Sequence, residues 1–148
     1  YSWLNRWNKG GMESLTDKKG RGRKPLLNLS KVEHVEVVTE AIEKWGNRFD
    51  TIYGGVNGAP KFMMPTLLEL YTASDHLNRH LRLSLDKMAL GGLFDVLRGG
   101  FSRYSVDERW HIPHFEKMGY DNGQLLYIYS EAYLTQTSPL YEEVVEKT

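Results

Sequence analysis

Between Gly99 and Leu125 the sequence GGFSRYSVDERWHIPHFEKMGYDNGQL concentrates the side chains that can do chemistry: Arg103, Tyr104, Asp107, Glu108, Arg109, Trp110, His111, His114, Glu116, Lys117, Tyr120 and Asp121. A solvated loop supplies Ser, Asn, Gly and Lys, but not Phe101, Tyr104, Trp110, Phe115 and Tyr120 as well, each of which favours burial. Aromatic rings beside carboxylates and imidazoles make a pocket for a polar ligand. Paired carboxyl groups can serve as general acid and base, and Asp107, Glu116 and Asp121 are the candidates, with Asp107 facing Glu116 as the better pair. His114 is a candidate acid or base. Arg103, Tyr104, Trp110 and Lys61 are candidate ligand-binding residues.

Each group also has a structural reading. Arg103 beside Asp107 or Glu116 can be a buried ion pair that pins the loop. Trp110, Phe115 and Tyr120 read as core anchors, Lys61 as a solvated loop lysine and Lys117 as a helix-surface charge. His111 and His114 are three residues apart, but Pro113 is expected to begin a helix and leave His111 outside it, so no metal site is expected. No cofactor is expected either: the spacing of Gly55 and Gly58 is followed by no Lys-Ser/Thr dipeptide of a phosphate loop.

Helices must position these residues. Ser30 and Glu33 form a capping-box pattern, and Val32, Val35, Val38, Ile42 and Trp45 then recur at helical spacing up to Gly46. A loop from Asn47 to Met64 carries GGVNGAPKF. Pro65 suits the first turn of the next helix. Leu67, Leu70, Tyr71, Leu77, Leu81, Leu85, Met88 and Ala89 continue an apolar stripe, with a break near His76 to His80, and Phe94 and Leu97 extend it by a turn. Leu125, Leu126, Tyr129, Ala132 and Tyr133 form another helix, and Ser138-Pro139 starts a last one. The expected class is all-α.

Three strings in order, Phe49-Asp50 with GGVNGAPKF, MALGGLFDVLRGGF from Met88, and the Gly99–Leu125 run, resemble the thioredoxin-domain-containing family of proteins like spermatogenesis-associated protein 20. The resemblance covers roughly residues 29–148 and implies the start of that family's helical portion, similar to an (α/α)6 toroid of the six-hairpin glycosidase and epimerase kind. It implies a carbohydrate-like small-molecule ligand and a segment that is not catalytic by itself. It also implies apolar faces that need covering, by homo-oligomerisation or by the rest of a larger chain. Gly119 and Gly123 fall where the family has a helix, and each costs about 1 kcal/mol there relative to Ala.

Composition sets outer bounds. The 148 residues suit one ordinary domain, and 41% of them are hydrophobic. The absence of cysteine removes disulfides, thiol nucleophiles and any CxxC redox centre. No apolar run approaches the ~20 residues of a membrane span, so no membrane partner and a cytoplasmic location are expected.

The net charge of zero hides an asymmetry. Residues 1–28 hold seven Lys or Arg against Glu13 and Asp17, a net of +5, whereas residues 29–148 hold twelve against seventeen, a net of −5. Residues 1–28 therefore read as a basic arm and 29–148 as the helical segment. The arm's WLNRW followed by GGMESLTDKKGRGRKP is similar to the end of the helix-turn-helix region of IS630-type transposases. Its GRGRKP string also looks like an AT-hook, in which Arg21, Arg23 and Lys24 are candidate contacts to a DNA minor groove. A flexible basic linker with weak, salt-sensitive DNA binding is the alternative.

Overall fold

The computed structural model of the chain describes residues 9, 32–72 and 78–148. Contacts divide the chain into two compact units, Tyr1–Ala41 and Ile42–Thr148. The boundary expected at residue 28, the arm residues Arg21, Arg23 and Lys24, the cap at Ser30, and His76 and Leu77 all lie outside the described residues. Helix α1, Val32–Gly46, ends at the glycine expected to stop it.

In the second unit a short helix α2, Pro65–Thr72, begins with proline at its first position, where a missing N–H costs nothing. Its Leu68 and Tyr71 are buried one turn apart. Helix α3, Asn78–Leu90, buries Leu81, Ser84, Leu85, Met88 and Ala89, the i, i+3, i+4, i+7, i+8 stripe of a core-facing helix. Helix α4, Gly119–Thr135, buries Leu125, Ile128 and Tyr129, and α5, Pro139–Lys147, buries Tyr141 and Val144. Helix α4 packs on α2 and α5, and α3 packs on α2 and α5. The Tyr129 hydroxyl donates to the Leu85 carbonyl and the Tyr141 hydroxyl to the Asp86 carboxylate, whereas the buried Tyr71 hydroxyl has no hydrogen-bond partner. Burial pushes the Tyr129 hydroxyl's pKa upward. The fold is mostly helical, as the class expectation held. Among the described residues no helix is long and apolar enough to cross a membrane.

Two expectations of helix are corrected. The helical stripe does not run on through Phe94 and Leu97: α3 ends at Leu90, Phe94 bridges to Phe101, and the Asp95 carboxylate accepts the N–H groups of Leu97 and Arg98 to close a turn. Pro113 starts no helix, because it forms a β-bridge with Ser105, and α4 begins only at Gly119. Strand β1, Lys61–Phe62, pairs antiparallel with β2, Tyr104–Ser105, in the register Lys61 to Ser105 and Phe62 to Tyr104.

This ribbon joins the glycine loop to the chemistry-rich run, and close packing explains two of the glycines. A Cβ on Gly54 would sit 2.5 Å from Ser84 Cα of α3, and one on Gly55 would sit 2.7 Å from the Trp110 ring. Both residues have positive φ, which a side chain would strain. The Gly55 N–H donates to the Ser84 hydroxyl, fastening loop to helix at 2.7 Å.

Candidate functional site

Two ion pairs flank the ribbon. On one side Lys61 is fully buried, and its ammonium donates to Asp50 Oδ2 at 2.5 Å and to the Glu108 carbonyl at 3.0 Å. The ammonium also lies over the rings of Trp110 and Tyr53, 5.0 and 5.9 Å from their centroids. Asp50 Oδ1 accepts the N–H groups of Ile52 and Tyr53. Burial works to raise the Asp50 carboxyl's pKa, but Lys61 and these two amides outweigh it and hold the group below its ordinary value. Trp110 is wholly buried and donates its indole N–H to the Tyr53 carbonyl at 2.8 Å.

Lys61 is therefore not a solvated loop lysine, and neither it nor Trp110 turns toward solvent as a ligand contact. Together they tie three stretches of loop to one buried charge. Trp110 is the core anchor expected, and its φ of 67° is stored where the surrounding packing fixes it. Asp107 is also committed to the framework: its Oδ1 accepts the N–H groups of His111 and Ile112 and the Ser105 hydroxyl. These bonds outweigh burial and lower its pKa.

On the other side of the pairing the residues are open. Arg103 Nη1 donates to Glu116 Oε2 at 3.1 Å, with the two side chains 43% and 53% exposed. The expected Arg103–Glu116 pair thus forms, but in solvent. Its backbone is held too, since the Arg103 N–H donates to the Glu116 carbonyl at 2.8 Å. His114 donates its backbone N–H to the Tyr104 carbonyl and stacks its ring on Tyr104, centroids 4.6 Å apart. Its Nδ1 lies 3.9 Å from Glu116 Oε2 and has no hydrogen-bond partner. Phe62, the cross-strand partner of Tyr104, packs its ring 4.9 Å from the Tyr104 ring.

Arg103 also lines a shallow depression of about 170 Å³ with Phe62, Met63, Met64, Pro65, Tyr120 and Asp121. Burial raises the Asp121 carboxyl's pKa, partly offset by the Arg103 charge. Glu116, Tyr120 and Asp121 in turn raise the Arg103 pKa. Met64 stands at φ 51°, a conformation that costs a non-glycine residue about 1–3 kcal/mol. The structure therefore brings Arg103, Tyr104, His114, Glu116 and Asp121 into one neighbourhood and places Asp107, Trp110 and Lys61 in the frame behind it. Among the described residues no cluster of His, Asp and Glu could hold a metal ion.

Phe115 and Tyr120 are not core anchors. Phe115 is 96% exposed because it stands on the irregular stretch between β2 and α4, and Tyr120 is exposed in the first turn of α4. Lys117 is not on a helix: it donates to Asp95 Oδ2 and the Gly99 carbonyl, both at 2.7 Å, and lowers the Asp95 pKa to about 2. Sequence reasoning missed Asp95, and also Asn122, whose side chain accepts the Phe101 N–H and donates to the Phe101 carbonyl. It missed Phe62 and Met64 too. The one available signal was Met64 preceding proline, where helical backbone is disfavoured.

No protein-family model matches the chain. Among curated proteins, the chain is similar to spermatogenesis-associated protein 20 of Homo sapiens and of Mus musculus, each 40% identical over 66% of this chain. An uncharacterized protein of Caenorhabditis elegans is 43% identical over 56% of the chain. These relatives lend the transposase resemblance no support. The match covers 14% of the human and mouse proteins, so the chain is similar to one short segment of spermatogenesis-associated protein 20.

Proposed function

We propose that the Ile42–Thr148 unit is a non-catalytic segment of a carbohydrate-active type of helical domain, and that it binds a hydroxyl-rich ligand at the Arg103–Glu116 face. The carrying observation is that this ion pair stays in solvent beside a strained, aromatic-lined depression, while the neighbouring Asp50–Lys61 pair is buried. A guanidinium fork and two carboxylates can donate to and accept from adjacent hydroxyls. Tyr104 and Phe62 offer rings for the apolar face of a sugar.

Binding rather than turnover is the supported role. Of the three carboxylates considered, Asp107 is occupied by the loop and Glu116 by Arg103, which leaves Asp121 as the one with a raised pKa. A paired acid and nucleophile would need further groups, which a toroid of the six-hairpin glycosidase kind would bring from its other helices.

A glycan array followed by calorimetry tests it. We expect a saturable response to neutral sugars that Arg103→Ala and Glu116→Gln each weaken at least tenfold; no binding to any sugar contradicts the proposal.

A second reading rests on the charge asymmetry: residues 1–28, at net +5, form a basic arm that binds duplex DNA. Its expected mark is affinity that falls steeply between about 50 and 200 mM salt and is lost when Arg21, Arg23 and Lys24 are replaced by Ala. Retained affinity in that variant contradicts it.

A further inference from the structure

Helix α4 is apolar on two faces. One buries Leu125, Ile128 and Tyr129. On the opposite side Tyr120, Tyr127 and Leu134 recur at seven-residue spacing and are 59%, 52% and 78% exposed. Large apolar side chains exposed in a row mark an interaction surface. Between the three lie Gly123, Gln124 and Glu131, also exposed.

We infer that a second copy of this chain covers this stripe, with the two α4 helices antiparallel and a two-fold axis at Tyr127. The sequence of the stripe is self-complementary about that residue, as an isologous contact requires. Antiparallel pairing sets residues equidistant from Tyr127 against each other. Tyr120 then meets Leu134, Gln124 meets Ser130, and Gly123 meets Glu131. Gly123 has nothing within 4 Å of where a Cβ would stand, which leaves room for the longer glutamate stem.

Charge selects the same orientation. Glu131 is the stripe's charged residue, and a parallel pair would set the two Glu131 carboxylates side by side. The antiparallel pair separates them by eight residues along the axis, about 12 Å at 1.5 Å per residue, which exceeds the ~8 Å screening length at physiological salt. Size predicts a weak dimer. The stripe runs about 21 Å, and three side chains cover well under the ~800 Å² per partner of a standard interface.

Sedimentation equilibrium of the full chain over a hundredfold concentration range tests the inference. The expected weight-average mass rises from 17.1 kDa toward twice that value. Tyr127→Lys and Tyr127→Glu each place like charges on the two-fold axis and should stay monomeric, with thermal melts matching the parent chain. An equimolar mixture of the two should regain the dimer, since Lys then meets Glu. Leu134→Lys, at a more exposed position, should weaken association at least tenfold. A mass fixed at 17.1 kDa throughout would overturn the inference. So would a dimer that survives Tyr127→Lys, or a mixture that stays monomeric.

Discussion

Asp50–Lys61 and Arg103–Glu116 are the same chemistry in two settings. Each pair has one member on or beside the two-stranded ribbon, yet the first has side chains 0% and 9% exposed at lysine and aspartate and the second has both near half. Lys61 has every donor direction answered by a carboxylate, a carbonyl or an aromatic face, as a charge removed from water requires. Arg103 spends one donor on Glu116 and leaves the rest of its fork to solvent and to the depression beside it. The buried pair builds the frame, and the open pair is free to exchange its contacts for a ligand's.

The sharpest way to break this contrast is Lys61→Met. Removing one partner leaves the Asp50 charge buried, so we expect a loss of about 3–5 kcal/mol in urea denaturation. A loss below about 1 kcal/mol would give the pair the value of an exposed one and erase the distinction. The double change Asp50→Asn with Lys61→Met sharpens it: if the uncompensated charge is the damage, the double variant is more stable than Lys61→Met alone.

Acid titration comes next in size. Asp50, Asp95 and Asp107 all have folded pKa values below their unfolded ones, so the stability they contribute is present above about pH 4 and is lost as pH falls through the folded values. Asp121 has the opposite sign, because its raised pKa makes its ionised form unfavourable in the fold, a cost that acidification relieves. Three groups against one predict a melting temperature that declines below pH 4, and Asp50→Asn should flatten that decline. A melting temperature that rises on acidification would contradict the assignment. The smallest expected effect on stability belongs to Arg103→Ala, which should melt close to the parent chain because its ion pair is in solvent, while its sugar response weakens at least tenfold. A loss as large as that of Lys61→Met would make Arg103 part of the frame.

Much of this was legible in local pattern. The stripe Leu81, Leu85, Met88, Ala89 and the proline at position 65 predicted α3 and the start of α2, because both signals act within a turn or two of helix. The Arg103–Glu116 partnership and the burial of Trp110 were also readable from residue types. Pairings across the chain were not. Lys61 looked solvated because its partner Asp50 is eleven residues away across the glycine loop, and its cover comes from Trp110, forty-nine residues on. Pro113 carries the same φ preference in a helix start and in an extended bridge, and only its pairing with Ser105 decides between them. Phe115 reads as core by composition, but it stands on the irregular stretch between β2 and α4, which leaves it outside.

The most direct test of the account is a map of amide shifts in the full chain on titration with a neutral sugar that binds on the array. The prediction is that shifts concentrate at Arg103, Tyr104, His114, Glu116, Tyr120 and Asp121, while Asp50, Lys61 and Trp110 stay still. Shifts centred on the Asp50–Lys61–Trp110 cluster, or none at the Arg103 face, would contradict the division between frame and binding surface.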